Sequence, residues 1–117
     1  MMKRLTTAIA VLALCGCASI KIPTERLERE SASERGAEEL GASTVPSAKL
    51  HLQLAKDQTE TAKRLAAQGD ERALLVMQRA EADAELALVL AREVQTHREA
   101  MAATEDLKTL QTNKGTP

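Results

Sequence analysis

Small residues recur along one side of a predicted helix between residues 73 and 94, at alternating steps of four and three. This alternation is the spacing of a coiled-coil seam, because it keeps the side chains on one face of the helix. Five of the seven positions are alanine, so a neighbouring helix can approach the backbone closely. The seam therefore predicts a long helix with a partner helix, and its residues are Ala73, Met77, Ala80, Ala84, Ala87, Ala91 and Val94. We expect the same stripe to be widened by Leu86, Val89 and Leu90.

Two glycine-marked breaks divide the chain into three predicted helices. Gly41 ends the first helix, Gly69 ends the second, and Asp70 caps the third. Because the second break is so short, the last two helices must run antiparallel. The predicted fold is all-α, an antiparallel helical hairpin with one long C-terminal helix and a weaker N-terminal helix, coiled-coil-like in its packing. Its helical domain spans residues 24–112, with helices at about 24–40, 47–68 and 70–111.

The two shorter predicted helices differ in how much apolar surface they offer. The first is rich in Glu and Arg and contains Gly36, which lowers helix propensity, so we expect it to be mostly solvated. The second carries apolar residues at helical spacing. These are predicted to face the third helix, and they are Leu50, Leu54, Ala62, Leu65 and Ala66.

The third predicted helix is nearly twice as long as the second, so its C-terminal half extends beyond the hairpin. An uncovered apolar surface bordered by polar groups often marks an interaction site. The row that would form such a partner face consists of Ala100, Ala103, Leu107 and Leu110. The alternatives are a frayed C-terminus or a chain that bends back, and residues 113–117 are expected to be a flexible tail.

The first 16 residues have the three parts of a secretory signal peptide. Lys3 and Arg4 form the basic start, and an apolar stretch follows that is shorter than the about 20 residues of a transmembrane helix. The segment ends in Leu14-Cys15-Gly16-Cys17, the pattern of a bacterial lipoprotein signal, with Leu three positions before the final cysteine and a small residue directly before it.

This pattern predicts that Cys17 becomes the first mature residue and carries a diacylglycerol. Several acyl chains hold a protein firmly on a membrane, since each buried methylene contributes about 0.8 kcal/mol. Residues 17–23 would then be a lipidated stem, and Cys15 would leave with the signal peptide. Because Ala18 and not Asp follows Cys17, we expect an outer-membrane location facing the periplasm.

The composition argues against several classes of function. The chain has no Phe, Tyr or Trp and a net charge of −1, so it lacks stacking platforms and the basic surface that nucleic-acid binding needs. The pair Glu93 and His97 is one helical turn apart, but two ligands do not complete a metal site. We find no catalytic motif in the sequence. The expectation is a protein that is not an enzyme and needs neither a metal nor a cofactor.

Residues 41–95 resemble a family of small bacterial lipoproteins, domain-of-unknown-function family 4398. The matching features are Gly41-Ala42 with Val45-Pro46, then a helix with spaced Leu and Ala, then Gly69-Asp70 and the alanine-rich run at residues 80–87. The resemblance implies a helical hairpin located in the cell envelope. It carries no catalytic residues.

Together these observations predict a membrane-anchored envelope lipoprotein with a structural or adaptor role. Its partners would be the membrane, through the lipid, and either another envelope protein or further copies of the same chain. Two alternatives remain open at this point. One is a periplasmic chaperone or carrier with an apolar groove, and the other is a cell-wall-associated lipoprotein.

Overall fold

The computed structural model describes residues 19–115, and within them the chain forms three α-helices. Helix α1 spans Thr24–Glu39, α2 spans Pro46–Ala67 and α3 spans Arg72–Lys114. A 3₁₀ turn at Ala42–Thr44 connects α1 to α2. The predicted all-α fold with a long C-terminal helix is confirmed. Helix α3 continues three residues beyond the predicted end at Gln111, so less of the C-terminus is irregular than expected.

Both turns between helices depend on a glycine in the left-handed region of backbone conformation. Gly41 has φ of 79° and Gly69 has φ of 72°, values that residues other than glycine rarely adopt. After Gly69, the Asp70 side chain accepts a hydrogen bond from the backbone N–H of Arg72 at 2.9 Å. This satisfies one of the free N–H groups at the start of α3. The two turns together fold the three helices back on one another.

Helix α2 packs against α3 through a row of mostly small residues. The buried positions of α2 follow steps of four and three and are Ala48, Leu52, Ala55, Thr59 and Ala62. The predicted face is confirmed at Ala62, which is buried, while Leu65 and Ala66 are half-buried. It was wrong for Leu50 and Leu54, which are exposed. The physical reason is the alanine seam opposite, because a face of mostly small side chains on α2, with Leu52 as its one leucine, allows the close approach that buries those alanines.

Helix α1 lies against α3 and also contacts α2 along one stripe, while more than half of its residues are exposed, as the prediction of a mostly solvated helix expects. Its buried residues are Glu30, Ser33 and Ala37. Gly36 serves this packing, because a Cβ atom there would lie 3.1 Å from Leu88 Cδ1 of α3. The glycine predicted to weaken the helix is thus the position at which α1 and α3 approach each other.

The two ends of the bundle are distinct. At one end, the stem before α1 and the turn between α2 and α3 meet, and Ile22 and Leu27 pack on a buried group that includes Met77. At the other end, the turn between α1 and α2 packs Val45 against Ala87 and nearby residues of α3. Helix α3 continues past this second end, where residues 96–115 are all exposed. At 1.5 Å per residue, this projection is about 28 Å long.

Candidate interaction face on the third helix

One side of α3 is fully used in holding the bundle together. Six of the seven residues in the alanine seam are at most 1% exposed, and these are Ala73, Met77, Ala80, Ala84, Ala87 and Ala91. Val94, the seventh, is half-buried where α3 leaves the bundle. The seam is therefore occupied by this chain's own helices and offers no surface to a partner.

The opposite side of α3 carries a second row with the same spacing. It starts at Leu75, two residues after the first seam residue, Ala73. A step of two residues corresponds to a rotation of about 200° around an α-helix. All of its members are exposed. We call this row the free face, and it consists of Leu75, Arg79, Ala82, Leu86, Val89, Glu93, Thr96, Ala100, Ala103, Leu107 and Leu110.

The free face is apolar over much of its length although nothing described in the structure covers it. Val89 is 54% exposed, Leu107 is 61% exposed and Leu110 is 58% exposed. Glu93 interrupts the row with a charge and separates a lower part beside the bundle, which itself contains Arg79, from an upper part along the projection. Small residues at Ala100 and Ala103 would let a second helix approach the upper part closely.

The predicted partner face is the upper half of this longer row. Ala100, Ala103, Leu107 and Leu110 lie together on the projecting part of α3, and all four are exposed. The lower half was missed, because Leu86 and Val89 were expected to widen the buried seam. The sequence did contain the signal: these residues stand two positions after seam residues, on the far side of the helix. Leu90, in contrast, does pack against the buried cluster.

Two shallow depressions border the point where α3 leaves the bundle. One has a volume of about 450 Å³ and is lined in part by Ser47, Val94 and Arg98. The other has a volume of about 500 Å³ and includes Val89 and Ala100 of the free face. Both are open to solvent and carry charged groups at their edges, unlike the enclosed apolar pockets that bind small molecules.

The two histidines differ in their surroundings: His51 lies between α2 and α3, and His97 lies on the exposed projection. His51 Nδ1 of α2 lies 2.8 Å from Asp83 Oδ1 of α3, and Gln58 Nε2 donates to the other oxygen of that carboxylate at 2.7 Å. His97 is exposed on the projection, one turn from Glu93. Within residues 19–115, no three or more His, Cys, Asp or Glu side chains are placed to hold a metal ion. The first histidine thus links two helices.

A polar cluster between α1 and α2 was not predicted. Thr59 of α2 donates a hydrogen bond to Glu30 of α1 at 2.8 Å, and Glu30 is only 2% exposed. Burial, together with a hydrogen bond to Glu30, raises the pKa of the neighbouring Glu34 to about 8. Lys56 forms an ion pair with Glu38, which raises the lysine pKa. The signal in the sequence was the spacing of Glu30, Glu34 and Glu38 at four-residue intervals, which places three like charges on one stripe.

The predicted lipid attachment site, Cys17, lies outside the described residues. Among the residues that are described, no helix has both the length and the hydropathy needed to cross a lipid bilayer. Comparisons of the chain with protein-family models, with curated proteins and with solved structures found no match. The resemblance to the lipoprotein family therefore stays a prediction.

Proposed function

We propose that this chain is a lipid-anchored bacterial envelope protein with a structural or adaptor role, and that it binds a helix of another envelope protein along the free face. The observation that carries the proposal is the exposed upper half of that face, Ala100, Ala103, Leu107 and Leu110. A helix that projects about 28 Å past its own bundle makes no contribution to the core. Its apolar row is instead in the right place to pack against a partner.

The arrangement of the two ends supports this proposal. The short stem before α1 leads towards Cys17 from the end of the bundle where Ile22 and Leu27 pack. The projection leaves from the opposite end. An anchor at Cys17 would therefore place the upper part of the free face away from the lipid surface, where it could reach a protein in the periplasm or on the cell wall.

The anchor is tested by paired cysteine substitutions and metabolic labelling with a radioactive fatty acid. Cys17→Ala should abolish labelling and move the protein to the soluble fraction, because the thioether to diacylglycerol cannot form. Cys15→Ala is the matched control, two residues away, and should leave labelling and fractionation unchanged. Labelled, membrane-bound Cys17→Ala protein would contradict the assignment.

The adaptor role is tested by photo-crosslinking in living cells. Photoreactive residues at Ala103 and Leu110 should give one discrete product with a second protein, because both positions lie on the free face. Glu105 and Lys108 are the controls, at similar heights on the opposite side of α3. A product formed equally from both sides, or from neither, would contradict docking along the free face.

The crosslinking result also separates the proposal from its alternatives. A product only with further copies of this chain would replace the adaptor by a helical oligomer. Many weak products with unrelated proteins would favour a periplasmic chaperone. The adaptor role is preferred because the depressions beside Val94 and Ala100 are shallow and edged by charged groups, whereas a carrier needs an enclosed apolar groove.

A further inference from the structure

Helix α1 is attached to the bundle partly through polar groups, beside its apolar contacts at Leu27 and Ala37. Its buried residues are Glu30, Ser33 and Ala37, and Gly36 contributes only its backbone against Leu88. In the described part of the chain, the largest fully buried side chains are Met77 and Glu30. An ionisable side chain therefore occupies one of the main buried positions of this contact. The attachment of α1 must be sensitive to the charge that this region carries.

The surroundings of Glu30 offer little compensation for a second negative charge. Thr59 donates one hydrogen bond to Glu30, and Lys56 is paired with Glu38 at the next turn. Glu34 lies between these two glutamates, and its Oε1 atom is buried without a hydrogen-bond partner. A buried carboxylate oxygen that faces no donor favours the protonated form, because the neutral carboxyl can then donate to its neighbour.

Charged side chains from all three helices lie around Glu30 and Glu34. On α2, Glu60 and Lys63 line the same groove as Lys56. On α3, Glu81 is engaged at 3.5 Å by Arg26 of α1. The pKa of Glu34 is raised from 4.5 to about 8, first by burial and then by the hydrogen bond to Glu30 and its negative charge, against a smaller opposing effect of Lys56.

We propose that α1 is a releasable cover on the α2–α3 hairpin, held in place while the half-buried Glu34 carboxyl beside the buried Glu30 is protonated and released when Glu34 ionises. Release would uncover the side of α3 on which α1 rests, including Leu88 and the neighbourhood of Ala87 and Ala91. The device would thus control access to a second apolar surface, separate from the free face. It does not depend on the adaptor function proposed above.

The direction of the pH dependence follows from the two protonation states. Glu34 binds its proton more tightly when α1 is docked, so docking is strongest below pH 4.5, the ordinary pKa of the carboxyl. Docking then weakens as the pH rises and reaches its minimum above about pH 8. Within this window, one proton released per chain changes the docking equilibrium by up to about tenfold for each pH unit.

The test compares tryptic cleavage of α1 in the full-length chain at pH 7 and pH 9. Cleavage after Arg29 and Arg35 of α1 is measured relative to cleavage after Arg98, which lies on the exposed projection and serves as an internal standard. The relative rate should rise about tenfold in the native chain as α1 is released. In Glu34→Gln, whose neutral side chain cannot ionise, it should stay low at both pH values. Glu39→Gln, an exposed change on the same helix, should behave like the native chain.

A second measurement does not depend on the variant folding correctly. The side-chain carboxyl carbon of Glu34 is followed by NMR between pH 4 and pH 10, together with the backbone amides of α1. We expect the carboxyl to titrate well above its ordinary range, and the α1 amides to change with it. A carboxyl that titrates near 4.5, an α1 that stays docked at pH 9, or a Glu34→Gln variant cleaved like the native chain would each overturn the proposal.

Discussion

Replacing Ala84 with leucine tests whether the alanine seam holds the helices in close contact. Ala84 is fully buried on α3, between the group around Met77 and the group around Ala87. The substitution adds three carbon atoms at a point where the helices are already close. If free space existed there, burying them would stabilise the fold by about 0.8 kcal/mol for each methylene.

In a well-packed interior, the destabilisation caused by overpacking is larger than this gain from burial. Extra methylenes force side chains from their preferred rotamers and shift the backbone, which typically costs about 1–3 kcal/mol. We therefore expect Ala84→Leu to lower the free energy of unfolding by about that amount. For a domain of this size, each kcal/mol lowers the melting temperature by about 4–8 °C.

The matched control is Ala82→Leu, two residues away on the exposed side of α3. It makes the same chemical change in the same helix, so helix propensity cancels in the comparison. Urea and thermal unfolding, followed by circular dichroism, measure both variants. If Ala84→Leu were as stable as Ala82→Leu, or more stable, the seam would not be closely packed and the argument from small residues would fail.

Two further predictions concern the ends of α3. The hydrogen bonds from Arg72 lower the pKa of Asp70 from 3.8 to about 2, so its contribution to stability is present above pH 3.8 and is lost as the pH falls towards 2. Asp70→Asn should remove this acid dependence of the melting temperature, whereas Asp106→Asn on the projection should keep it. Ending the chain after Gln95 should reduce the total helix signal but leave the melting temperature nearly unchanged, because residues 96–115 are all exposed. A large fall in melting temperature on truncation would mean that the projection packs on the bundle in solution.

The long helix could be predicted because its signal is local and repeated. Steps of four and three between alanines define one face regardless of what lies opposite. The breaks at Gly41 and Gly69 were equally clear, since each requires a positive φ that a glycine adopts without strain. The projection followed from the lengths of the helices, once the short turn at Gly69 had made the last two antiparallel.

The buried face of α2 could not be predicted in the same way. Leu50 and Leu54 are larger and more apolar than Ala48 and Ala55, so a pattern read by hydrophobicity alone favours the leucines. Close approach to the alanine seam reverses that preference at most positions, because small side chains let the two helices come together, and Leu52 is the one leucine on the buried face of α2. The choice depends on the residues of another helix and is therefore a property of the assembled pair.

The sequence by itself determined where the helices break, the seam on α3 and that α3 is much longer than its partners, because all of these depend on residues close together in the chain. Only the tertiary structure decided that α1 docks and that Glu30 is buried. That burial depends on the Thr59 hydroxyl, 29 residues away in sequence, which donates a hydrogen bond to the carboxylate. A charged side chain can enter an interior only when such a partner is present, and no local pattern in α1 reveals one.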